Sequence, residues 1–135
     1  MSALRKGNWA RGQFFLFLAV TAFVILFSGI YEIFSHQVMS WWMILAAGPF
    51  LAGAACWFVF YKTGLFQTPC RPFQICFMMA TVSCTLGMVV RGVLEIYGTW
   101  SSLVHSYDIL FGVFFFGSVL SLILYLHYRK KAKVE

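Results

Sequence analysis

The chain has 135 residues, of which 61% are hydrophobic, 20% aromatic and only 10% charged, and its mean hydropathy is +0.83. Soluble domains carry about 25% charged residues, so a soluble globular domain and a disordered chain are both excluded, and the length leaves room for one domain. Ten Lys and Arg against four Asp and Glu give a formal charge of +6; in a soluble protein that excess would point to nucleic acid, but the placement of the cations gives it a different cause.

A bilayer core of about 30 Å needs roughly 20 apolar residues in helical form. Four runs reach that length, at 14–34, 41–61, 75–97 and 104–127. Lipid offers no partner to an open backbone, and the runs lack the polar–apolar alternation of a transmembrane barrel strand. The predicted fold is an all-α membrane protein, a single integral domain over 1–135 with four transmembrane helices. The connections are short, so consecutive helices should pack as antiparallel neighbours in an up-down bundle. The first run is longer than the roughly 7–15 residues of a signal-peptide core and no small-x-small site follows it, so it is expected to be retained.

Orientation follows from the cations. Arg5, Lys6 and Arg11 precede the first run, Lys62 and Arg71 lie between the second and third, and Arg129, Lys130, Lys131 and Lys133 follow the fourth. The connections 35–40 and 98–103 hold no Lys or Arg. The positive-inside rule therefore predicts both termini in the cytosol, and attraction to anionic headgroups accounts for the charge without nucleic acid. Trp9, Tyr61, Tyr125 and Tyr128 mark the cytosolic boundary, and Trp41, Trp42, Trp100 and Tyr107 the other.

The segments Ser28-Gly29-Ile30-Tyr31-Glu32-Ile33-Phe34 and Arg91-Gly92-Val93-Leu94-Glu95-Ile96-Tyr97 share the pattern x-G-[IV]-[YL]-E-I-[FY]. Each precedes a short cation-free loop and a further helix, which suggests a parallel duplication of a helical hairpin. Small residues four apart, at Gly48/Ala52/Cys56, Ser83/Gly87 and Gly117/Ser121, are candidate helix-packing faces. Pro49, about eight residues into the second run, is expected to kink it and free a backbone carbonyl.

The ionisable residues carry the functional signal. Apart from Glu135, the acids Glu32, Glu95 and Asp108 all fall in the non-cytosolic third of the helices, together with Arg91, His36 and His105. Intramembrane ionisable residues are costly and face a bundle interior or a wet cavity. Arg91 and Glu95 stand at i,i+4 and could form an ion pair, Glu32 and His36 share that spacing, and His105 and Asp108 stand at i,i+3 near a helix start whose dipole suits an acid. Four readings compete: a polar network that fixes helix pairing, a pocket for a polar headgroup or small ligand, a metal or proton-relay site, and haem held by His36 and His105. No dense ligand motif such as H-E-x-x-H is present, and no cofactor is predicted. A histidine beside carboxylates titrates near neutrality, so the cluster is a candidate pH-sensitive element.

Cys56, Cys70, Cys76 and Cys84 lie on the cytosolic side without a C-x-x-C pair, which argues against disulfides and zinc ribbons. Cys70, between Pro69 and Arg71 at the membrane face, is a candidate palmitoylation site. The tail Lys131-Ala132-Lys133-Val134-Glu135 resembles the K-x-K-x-x dilysine signal that returns membrane proteins to the endoplasmic reticulum. Walker, nucleophile-elbow, filter-loop and voltage-sensor patterns are missing. The expected function is that of a non-enzymatic accessory or adaptor subunit acting by helix–helix contact with membrane proteins or its own copies, surrounded by membrane lipid. The alternative is a binder or transporter of a lipid, sterol or ion through the polar cluster, and a membrane-embedded enzyme with Glu95 or His105 as acid or base is third.

Overall fold

The computed structural model describes residues 3–34, 40–64 and 70–131; His36 and Lys133 lie outside them. Five helices build four spans. The first span is α1 (Ala3–Phe34), the second is made by α2 (Trp41–Leu45) and α3 (Gly48–Thr63), the third is α4 (Arg71–Ile96) and the fourth is α5 (Val104–Lys131). All four are long and apolar enough to cross a membrane. The protein is an all-α, integral multi-pass membrane protein, and no strand occurs among the described residues.

Three helices run beyond their apolar runs. Hydropathy ends where charge begins, but helical backbone does not. Leu4, Arg5, Lys6 and Gln13 are good helix formers, so α1 starts at Ala3 and, at about 1.5 Å per residue, its 32 residues outreach the hydrocarbon core. α4 starts at Arg71 with Pro72 in its first turn, where the missing N–H costs nothing. α5 continues to Lys131, and Arg129, Lys130 and Lys131 in its last turn suit the negative end of the helix dipole.

The second span differs from a kinked helix. It breaks at Ala46–Ala47, so that Pro49 falls in the first turn of α3 rather than in a helix interior. The Leu51 amide bonds to the Ala47 carbonyl at 3.1 Å and restarts the ladder past the proline. The break frees α2 to lie against α4 on its own course.

α3 packs along α1, and α5 packs along α4, giving two antiparallel hairpins that join through α2 and α3 against α4. The centre is aromatic and lies toward the end that carries the start of α1. Trp57, wholly buried, meets Trp9 edge-on at 5.1 Å, Phe60 at 5.8 Å and Phe73 at 6.0 Å between ring centres. Phe17 packs on Phe50 at 5.5 Å and on Phe77 at 5.8 Å. Trp9 therefore serves the core as well as the boundary. Three buried hydroxyls are spent inside single helices, with Thr21 donating to the Phe17 carbonyl, Thr81 to that of Phe77 and Ser118 to that of Phe115.

Glycine sets the helix spacing. A Cβ at Gly53 would stand 2.5 Å from the Phe17 ring, and one at Gly87 would stand 3.1 Å from Tyr107 Cβ. Phe17 has almost no room to yield, at 1% exposure. Overpacking of this kind costs about 1–3 kcal/mol. Gly53→Leu is expected to lower the thermal unfolding temperature in detergent by several degrees, while Gly12→Leu, where no atom lies within 4 Å, should leave it in place. Equal melting of the two variants would contradict this account of the packing.

Candidate functional site

At the end of the bundle opposite the start of α1, backbone geometry builds a concave site. α4 ends in a Schellman arrangement, with Gly98 at φ +65°, its amide bonded to the Glu95 carbonyl and the Thr99 amide bonded to the Leu94 carbonyl. The left-handed residue turns the chain back over the last turn of α4. Ser101 then accepts the Leu103 amide on its Oγ at 3.3 Å and starts α5. Thr99, Trp100 and Ser101 become one wall of a cleft of about 340 Å³, with Leu94 and Val104 supplying apolar lining.

Arg91 does not pair with Glu95. Its Nη2 donates to Asp108 Oδ2 at 2.5 Å, on the neighbouring helix α5. The cation-first order at i,i+4 is the weaker of the two helical arrangements, and Arg91 gains a second contact by crossing: its guanidinium lies 5.0 Å from the centre of the Trp42 ring. His105 Nδ1 stands 3.7 Å from the same Asp108 oxygen, within reach of a pair when the imidazole is protonated, and its ring meets Trp100 edge-on at 6.1 Å. α5 has no acid in its first turn; Asp108 lies just beyond it, where the dipole contributes little.

Glu95 bonds to α4's other neighbour. Ser40 Oγ, fully buried, donates to Glu95 Oε2 at 2.5 Å. Gly92 makes the approach feasible, since a Cβ there would stand 2.6 Å from Met43 Cγ and 3.3 Å from Ser40 Oγ. Thus one turn of α4 holds α5 through Arg91 and the start of the second span through Gly92 and Glu95.

Of the predicted cluster, Arg91, Glu95 and His105 line the cleft, together with Trp42. Asp108 joins through Arg91. Glu32 is half-buried on α1 and does not line the cleft. His36, and with it the haem reading and the Glu32–His36 pair, falls outside the described residues. Among the described residues no group of three or more His, Cys, Asp and Glu is placed to hold a metal ion. At the opposite end, Cys70 occupies the N-cap position of α4, half-buried against the aromatic core, and Lys131 is the exposed last residue of α5.

Sequence reasoning missed Ser40, Gly92 and Trp42 as partners. Gly92 stood in the repeated G-x-x-E pattern, which was the available signal; the pattern could not say which helix would fill it. No protein-family model, curated protein or solved structure matches the chain.

The Arg91–Asp108 pair is partly exposed, with side chains 28% and 47% accessible. Its worth is accordingly modest. A double-mutant cycle with Arg91→Gln and Asp108→Asn, read by thermal unfolding, is expected to give a coupling of about 1 kcal/mol. Strictly additive effects would mean that the contact does not hold α5 to α4.

Proposed function

We propose that the protein is a non-enzymatic accessory subunit that grips a partner's transmembrane helix along the outer face of α3. One observation carries this reading. Gly48, Ala52 and Cys56 form a stripe of small residues on the exposed side of α3, and among the described residues a Cβ at Gly48 would meet nothing within 4 Å. Large apolar side chains gain little by leaving lipid for another helix, so association rests on close backbone approach, which small residues permit. The other two small-residue faces are spent inside the chain: Gly87 against Tyr107 and Gly117 against Cys76.

Gly48→Leu combined with Ala52→Leu fills this stripe without touching the interior. On a native gel in mild detergent, the wild type should run as a complex larger than one chain, and the double variant should lose at least tenfold of it, or about 1.4 kcal/mol. Glu95→Gln should leave the complex intact. A Cys56–Cys56 crosslink on mild oxidation would identify the partner as a second copy. A wild type that runs as a single chain, or a complex insensitive to both leucines, refutes the reading.

The cation distribution supports cytosolic termini, and Lys131 with Lys133 supports retrieval to the endoplasmic reticulum from the early secretory pathway. One variant tests both: two alanines and an epitope placed after Glu135. The epitope should be reached by antibody when only the plasma membrane is permeabilised, and the masked signal should let the protein move forward. A protected epitope would overturn the orientation, and an unchanged location would overturn the retrieval signal.

A second reading, a binder or mover of a small ligand or lipid, draws its support from the cleft that Arg91, Glu95 and His105 line.

A further inference from the structure

The cleft's charge is asymmetric. Arg91 and Asp108 neutralise each other, and the imidazole of His105 carries charge only when protonated. The carboxylate of Glu95 remains, counterbalanced by no cation among the described residues. Ser40 occupies only its Oε2, so Oε1 accepts no hydrogen bond among the described residues. The indole of Trp100, 81% exposed, lines the same cleft, as does Trp42, one face of which is already taken by Arg91. A carboxylate outside any ion pair and an exposed indole in one cleft are chemistry for an organic ammonium group. The same cleft presents the hydroxyls of Thr99 and Ser101 and the ring of His105. These donors suit an oxyanion next to the ammonium.

The cleft's size and position narrow the ligand. At about 340 Å³ it falls at the small end of the roughly 300–1,000 Å³ of ligand sites. It opens where spans end and tryptophans gather, the depth at which headgroups meet water. Leu94 and Val104 give it an apolar side along which an acyl chain can leave.

We propose that this cleft binds the headgroup of a zwitterionic phospholipid from the surrounding leaflet, with the ammonium at Glu95 and Trp100 and the phosphate at Thr99, Ser101 and His105. The inference rests on the second reading above, that the cleft takes a ligand, and adds the ligand's chemistry. Anionic lipids with no ammonium group meet an uncompensated carboxylate there.

Native mass spectrometry of the full chain in detergent tests it, with dioleoyl phosphatidylethanolamine, phosphatidylcholine and phosphatidylglycerol added separately. One molecule of either zwitterionic lipid should be retained at least tenfold better than phosphatidylglycerol. Glu95→Gln keeps an acceptor for Ser40 and should cut that preference by about tenfold, and Trp100→Ala, at a largely exposed position, should do the same without loss of folding. Millimolar phosphoethanolamine or phosphocholine should displace the lipid if the headgroup is what the cleft recognises; no displacement would assign retention to the acyl chains and overturn the proposal. Equal retention of all three lipids, or a preference unaltered in both variants, would overturn the headgroup chemistry while leaving a lipid-binding cleft. Retention of no lipid at all would remove the second reading together with the proposal.

Discussion

Close backbone approach at a few glycines is the constraint on which this bundle depends. In lipid, one apolar helix face gains little by leaving hydrocarbon for another, so helix pairs are held where their atoms come near enough for dispersion and hydrogen bonds to act. Gly53 lets the Phe17 ring of α1 press on α3, Gly87 lets Tyr107 of α5 press on α4, and Gly92 lets Ser40 and Met43 reach α4. Without the third approach, the Ser40 hydroxyl could not reach Glu95, and the cleft would lose the wall that Trp42 supplies. The polar site thus follows from the packing geometry.

The hydrogen bonds and charges are distributed to match. Thr21, Thr81 and Ser118 turn their hydroxyls back on their own helices, so the middle of the bundle is held by shape. Two interhelical polar contacts stand at the far end, where water and headgroups lower the cost of charge. There Arg91 ties α4 to α5 and Glu95 ties α4 to the second span. α4 is the hub of both, and the peripheral span is the fourth, with 6% of its apolar window buried against 39% for the second.

Span number, helical class and the gathering of Arg91, Glu95, His105 and Asp108 were legible because each is a property of the linear pattern. A run of apolar residues long enough to cross lipid has few alternatives. Pairing was not legible. The i,i+4 spacing of Arg91 and Glu95 suggested one contact, yet the long Arg91 side chain reached a neighbouring helix and a tryptophan face that no local rule could place. The three small-residue faces looked alike in sequence, and only their rotation about the helix axis separates Gly87 and Gly117, which face inward, from Gly48, Ala52 and Cys56, which face outward. Pro49 broke its span rather than bending it because Ala46 and Ala47 turned before it, leaving the proline where it does least harm.

The repeated G-x-x-E pattern makes the same point from inside one chain. At Gly92 the glycine is filled by Ser40 and Met43, and Glu95 accepts the hydroxyl that arrives with them; at Gly29 the equivalent space on α1 is open, with nothing among the described residues within 4 Å. The same seven-residue pattern is thus an internal joint at Gly92 and leaves the glycine position open at Gly29. The difference comes from what packs on each glycine, since the glycine and glutamate themselves are alike in both.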